Sequence, residues 1–106
     1  MLRKLPARVS WVAAEEGGLG LLPPFYKYAD LGKFPEDGDR WPSGAWTIVL
    51  EFGTPPCVQG NPSLGTARFL METAPHERLQ PGRSFELFRG PSKIATVELL
   101  DPEQDA

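Results

Sequence analysis

The stretch "AWTIVLEF", residues 45–52, places Trp46, Ile48, Leu50 and Phe52 on one face of an extended chain and Thr47 and Glu51 on the other. A side-chain period of two belongs to a β-strand with one face in a core. The pattern recurs outward in both directions. Ala67, Phe69 and Met71 repeat it, as do Phe85 and Leu87. These phases predict six strands, over Arg8–Ala14, Tyr26–Leu31, Ala45–Phe52, Thr66–Glu72, Ser84–Arg89 and Lys93–Leu100. Their inward positions give an expected core of Val9, Trp11, Trp46, Ile48, Leu50, Phe69, Phe85, Leu87 and Val97. No stretch has strong helical periodicity, and "PHERL" (residues 75–79) makes at most one turn.

Eleven glycines and twelve prolines fall mostly between these runs, the spacing of short strands joined by turns. Two connections are long for hairpins: "GKFPEDGDRWPSG" (32–44) and "GTPPCVQGNPSLG" (53–65). The first strand ends abruptly in "AAEEGG" (13–18), where the two glycines offer the dihedral freedom a sharp corner requires. A chain of 106 residues, 41% hydrophobic, suits one domain with one core, spanning 1–106 with frayed ends at about 1–6 and 101–106.

Eleven basic and fourteen acidic residues give a formal net charge of -3, so no global field draws the chain to nucleic acid or anionic lipid. The N-terminal "MLRKLPAR" is basic, but "VSWVAAEEGG" places acids where a signal peptide needs an unbroken apolar run. Nothing approaches the roughly 20 apolar residues of a membrane span. The single cysteine, Cys57, has no partner for an internal disulfide. The expectation is a soluble cytoplasmic protein without membrane contact.

Three pieces together resemble the C-terminal barrel domain of elongation factor Tu. The opening "ARVSWVAAEEGG" (7–18) resembles that domain's first strand and its acidic Gly-Gly corner. "PPFYKY" (23–28) resembles its Pro-Phe segment and following tyrosine. "LQPGRSFELFRGPSKIATVELL" (79–100) resembles its closing pair of strands, with Pro81-Gly82 at the turn and Arg89-Gly90 along the hairpin. The resemblance runs from about Ala7 to Leu100. It implies an all-β fold, a closed six- or seven-stranded antiparallel barrel standing alone, without the family's GTPase domain. The chain has no Gly-rich, Lys-containing phosphate loop, which excludes GTP hydrolysis. Leu19 and Gly20 stand where the family carries tRNA-contacting basic and His residues, and Ala29-Asp30 where it carries Arg-Pro.

For chemistry the sequence offers little. His76 is the only histidine, and no acid or cysteine stands at ligand spacing from it, so neither a metal nor a cofactor is expected. Cys57 follows two prolines with no helix start to lower its pKa, and no catalytic residue is assigned. The acids Glu15-Glu16, Glu36-Asp37 and Asp39 read as solvated loop residues, since "PEDGDR" lacks the ladder of a calcium loop. The aromatics are more informative. Phe25, Tyr26 and Tyr28 crowd one short stretch, and Phe34 and Trp41 flank a polar loop beside Arg40. Large rigid side chains of this kind anchor interfaces. The leading expectation is a non-enzymatic protein-interaction module that binds through Arg40, Trp41, Phe34, Phe25, Tyr26 and Tyr28. The alternative is an RNA- or tRNA-binding module using Arg3, Lys4, Arg8, Arg68, Arg83, Arg89 and Lys93; a small enzyme ranks last.

Overall fold

A computed structural model describes residues 3–102. Six strands form: β1 (Leu5–Trp11), β2 (Lys27–Lys33), β3 (Trp46–Glu51), β4 (Ser63–Phe69), β5 (Ser84–Arg89) and β6 (Ser92–Leu99). All pair antiparallel and close into a ring in the order β1-β4-β3-β2-β5-β6. Each strand has two neighbours, so none is left at an edge. Strand direction alternates round the ring, which sorts the connections. Segments 12–26, 52–62 and 90–91 gather at one end; 34–45 and 70–83 gather at the other.

β1 sits between β4 and β6, with Ala7 opposite Gly65 on one side and Leu99 on the other. Its inward residues Leu5, Ala7, Val9 and Trp11 are all buried, while Arg8 and Ser10 face out. The strand begins earlier than its apolar pattern suggests. Leu5 pairs with Ala67 and Pro6 with Thr66, so these two residues belong to the sheet rather than to a frayed end. The Leu100 N–H donates to the Pro6 carbonyl at 2.9 Å, tying the end of the last strand to the start of the first. Of the rest of the expected frayed ends, residues 3–4 and 101–102 lie outside the strands, and 1–2 and 103–106 lie outside the described residues.

The expected strands match in number and order, with shifted bounds. β5 coincides at Ser84–Arg89. β1 stops at Trp11 instead of Ala14 because Ala14–Glu16 turns into a 3-10 helix. There Gly17 takes a left-handed φ of 98°, and a Cβ on Gly18 would lie 1.9 Å from the Val12 carbonyl oxygen. The corner thus needs its two glycines for different reasons, one for dihedral freedom and one for close approach. β4 runs Ser63–Phe69 rather than Thr66–Glu72, leaving Leu70 and Met71 exposed. Ser63 is polar but buried, and accepts a hydrogen bond from the Trp11 indole Nε1 at 3.0 Å while donating to the Gly60 carbonyl at 2.7 Å. "PHERL" forms one 3-10 turn, His76–Arg78. A four-residue helix, α1 (Pro56–Gln59), lies in the connection from β3 to β4.

Eight of the nine expected core residues are buried, and Trp46 packs half-buried against them. Phe34 joins the core and corrects its expected place on a partner-binding surface. It is 2% exposed, stacks on Phe85 with ring centroids 4.6 Å apart, and meets Phe69 at 5.6 Å. Gly32 makes room for this packing, since a Cβ there would lie 2.7 Å from Ile48 Cγ1. The guanidinium groups of Arg78 and Arg83 stand 5.4 and 5.8 Å from the Phe34 ring centroid. Arg78 also pairs with Asp37 at 3.0 Å, and Arg83 with Glu36. This clamp fixes the 3-10 segment Pro35–Arg40 against the connection that ends at β5.

Two outcomes follow from the clamp and its aromatic plug. Phe34→Ala lowers unfolding free energy by about 3–5 kcal/mol in a urea titration, the cost of emptying an aromatic core site; a loss below about 1 kcal/mol contradicts the burial. The second outcome concerns acid. The Arg83 hydrogen bond, outweighing a smaller effect of burial, holds the Glu36 carboxyl below its ordinary value of 4.5. The folded chain therefore takes up this proton at lower pH than the unfolded chain, so the clamp's contribution is complete above that value and fades as pH falls through the folded one. The thermal midpoint of Glu36→Gln lies below that of the wild type at about pH 6, and the gap narrows by about pH 3. A gap independent of pH rules out the ionic clamp.

Candidate functional site

Three connections meet at one end of the ring, and in them Glu15 and Glu16 are the only charged residues. The connection from β1 to β2 carries "LGLLPPFY" (19–26), a cluster of apolar side chains on a stretch with no strand phase. Two of these turn partly inward: Leu19 and Leu22 pack against the core beside Tyr28. Pro23 is buried as well, and the fixed rings of Pro23 and Pro24 separate these inward residues from Phe25 and Tyr26, which stay outside. Leu21 is 88% exposed, and Phe25 and Tyr26 are 64% exposed each. Val58 of α1 adds a fourth exposed apolar side chain. The segments are joined through the backbone: the Cys57 N–H donates to the Pro23 carbonyl at 3.1 Å, and the Phe52 N–H to the Tyr26 carbonyl at 2.7 Å.

A groove of about 440 Å³ opens in this surface between Leu19, Leu21, Pro24, Phe25, Tyr28 and Arg89. Its position follows from strand pairing. β2 pairs with β3 over Lys27–Gly32 but with β5 only from Leu31, opposite Phe88, to Lys33. Beyond Leu31 the two strands part, and the groove lies between Tyr28 of β2 and Arg89 of β5. Tyr28 forms one wall. Its ring meets Trp11 edge-on at 6.0 Å, and its hydroxyl donates to Asp30 Oδ2 at 3.0 Å. Burial, then the Asp30 hydrogen bond and charge, push the phenol up to about 12 against the opposing charge of Arg89. Tyr28 is therefore a neutral, fixed wall at any physiological pH. Among the described residues no ion pair holds the Arg89 guanidinium.

The expected site residues do not form one surface. Phe25, Tyr26 and Tyr28 lie at the apolar end, and the segment bearing Phe34, Arg40 and Trp41 starts from the other. Trp41 folds back on the outer wall. Its ring packs on Phe88 with centroids 4.5 Å apart, its Nε1 donates to the Gly32 carbonyl at 3.1 Å, and Lys33 Nζ stands 5.6 Å above it. Arg40 is exposed, and among the described residues its guanidinium makes no ion pair. Leu21 and Val58 join the site although neither was a candidate contact residue, as does Arg89, which was a candidate only for the nucleic-acid alternative. For Leu21 the signal was present as apolar residues beside consecutive prolines; Val58 arrives from another connection and Arg89 from the end of β5, and neither leaves a local trace of this site.

The basic residues that suggested a nucleic-acid surface are mostly neutralised across strands. Arg8 pairs with Glu98 at 2.9 Å, Lys93 with Glu86 at 3.0 Å, and Arg83 with Glu36. Glu51 gathers three cations, Lys4, Lys27 and Arg68. Burial raises the Glu51 pKa, but the Arg68 hydrogen bond and the three charges more than offset this, so it is held below the ordinary carboxylate value. Arg3 Nε donates to the Leu79 carbonyl.

Cys57 and His76 lie in connections at opposite ends of the ring and cannot act as a nucleophile and its base. His76 packs edge-on against Phe69 with its Nε2 2.9 Å from the Glu72 carbonyl. Among the described residues no three His, Cys, Asp or Glu side chains are grouped to hold a metal ion. Among the described residues no helix is long and apolar enough to cross a membrane. Compared with known proteins, the chain matches no family model, and its sequence matches no curated protein.

Proposed function

We propose that this chain is a non-enzymatic β-barrel of the kind that forms the C-terminal domain of elongation factor Tu, and that it acts as a protein-interaction module. The six-stranded ring, with the opening strand beside the closing hairpin, supports the barrel reading. One observation carries the interaction reading. Leu21, Phe25, Tyr26 and Val58 are exposed together at an end whose connections hold only two charges. Keeping such side chains in water is costly at about 25 cal/mol for each Å² left uncovered, and exposed aromatic clusters of this kind mark contact surfaces. The pairing of Arg8, Arg68, Arg83 and Lys93 with carboxylates favours a protein partner over nucleic acid, because a phosphate backbone would have to displace those acids.

Two sets of substitutions locate the interface. Leu21→Ser, Phe25→Ser and Tyr26→Ser combined remove exposed side chains, so the thermal midpoint stays near the wild-type value while partner capture from cell extract falls by tenfold or more, about 1.4 kcal/mol. Arg40→Ala with Trp41→Ala leaves capture intact but lowers stability by about 1–2 kcal/mol, for the lost ring contact and hydrogen bond. Capture lost only in the Arg40/Trp41 variant would move the interface to the other end. Capture unchanged in both would end the interaction reading.

A further inference from the structure

We propose that the groove where β2 and β5 part takes an extended, apolar peptide segment of another protein that carries a carboxylate, with Arg89 as the carboxylate's partner. The proposal rests on the interaction reading above and adds the chemistry of the partner. Three observations meet at this place. The walls are apolar or neutral: Leu19, Leu21, Pro24, Phe25 and a Tyr28 whose hydroxyl is already committed to Asp30. The single charge on the groove is Arg89, exposed and, among the described residues, without an ion pair. A guanidinium beside apolar walls favours a planar carboxylate, which it meets with two parallel hydrogen bonds.

The third observation concerns the backbone. Among the described residues, the N–H groups of Gly20, Leu21 and Leu22 find no hydrogen-bond acceptor. A peptide passing this bend supplies carbonyls to such donors while its apolar side chains enter the groove. A basic segment would set like charges together at Arg89, and a phosphate-rich chain would leave the apolar walls uncovered. A second copy of this chain is the remaining occupant, and oligomeric state tests it.

The test uses fluorescein-labelled peptides in which leucine and phenylalanine alternate with serine, one series carrying aspartate and the other lysine at the same positions. Polarisation is read against the intact chain. The expected result is a preference for the aspartate series of about fivefold, the worth of one exposed charge pair of about 1 kcal/mol. Arg89→Glu abolishes or reverses that preference, and Arg89→Lys retains most of it. Arg89 is exposed at a strand end, and the near-ultraviolet spectrum and thermal midpoint of each variant establish that it is folded. Equal binding of the two series, an unchanged preference in Arg89→Glu, or no binding of either series overturns the proposal. So does sedimentation showing a dimer that Leu21→Ser with Phe25→Ser dissociates. If the peptide preference fails while the triple serine variant still loses partner capture, the interaction reading stands and only the partner's chemistry falls.

Discussion

Six strands close into a ring only if the side chains inside fill the space that the ring encloses, and every other feature of this molecule is arranged around that volume. The interior mixes small and large side chains. On β1, β4 and β6 the inward positions include the fully buried Ala7, Ala67 and Ala95 together with Gly65, where there is no room for more. A Cβ at Gly65 would lie 2.3 Å from the Glu51 carbonyl oxygen and 2.7 Å from the Phe52 ring. Among the large ones Phe34 lies between Phe69 of β4 and Phe85 of β5, with Trp11 and Phe52 nearer the apolar end. Small residues at some inward positions leave volume for large ones at others, and side chains packed at this density tolerate little change in volume.

How much of this was legible in the sequence depends on whether a residue's fate is decided by its neighbours in the chain. Phe85 and Leu87 alternate cleanly between Gly82 and Gly90, so β5 could be read to the residue. At β1 and β4 the apolar runs continue past the ladder into Val12–Ala14 and Leu70–Met71, while polar Ser63 begins a strand because Trp11 supplies its buried hydrogen bond. Hydropathy alone places both boundaries too late. Phe34 was illegible for another reason. Alone in a polar loop, it has no periodic neighbours, and it is inside because Arg78 and Arg83, more than forty positions away, close over it. The apolar end was half legible: Phe25 and Tyr26 were visible as aromatics beside prolines, whereas Arg89 reaches the same groove only through ring closure.

The two ends of the ring carry opposite chemistry for one physical reason. At the Phe34 end, loop side chains satisfy one another through Arg78, Arg83, Glu36 and Asp37, so the polar surface there is bound up internally. At the other end Gln59 and Asn61 spend their amides on backbone groups, and the prolines, glycines and apolar side chains that remain have no polar partners to offer one another. Charge and apolar surface are therefore segregated along the axis of the ring, which gives the molecule a direction that its modest net charge conceals.

The hydrogen bond from Leu100 to the Pro6 carbonyl sets the direction of attachment as well as the closure of the ring. The chain enters and leaves the fold side by side, at the end opposite Leu21, Phe25 and Tyr26. Adjacent termini let a folded unit be inserted into, or appended to, another polypeptide without strain. Both described ends therefore point away from the apolar face, and a segment joined at either would leave that face uncovered.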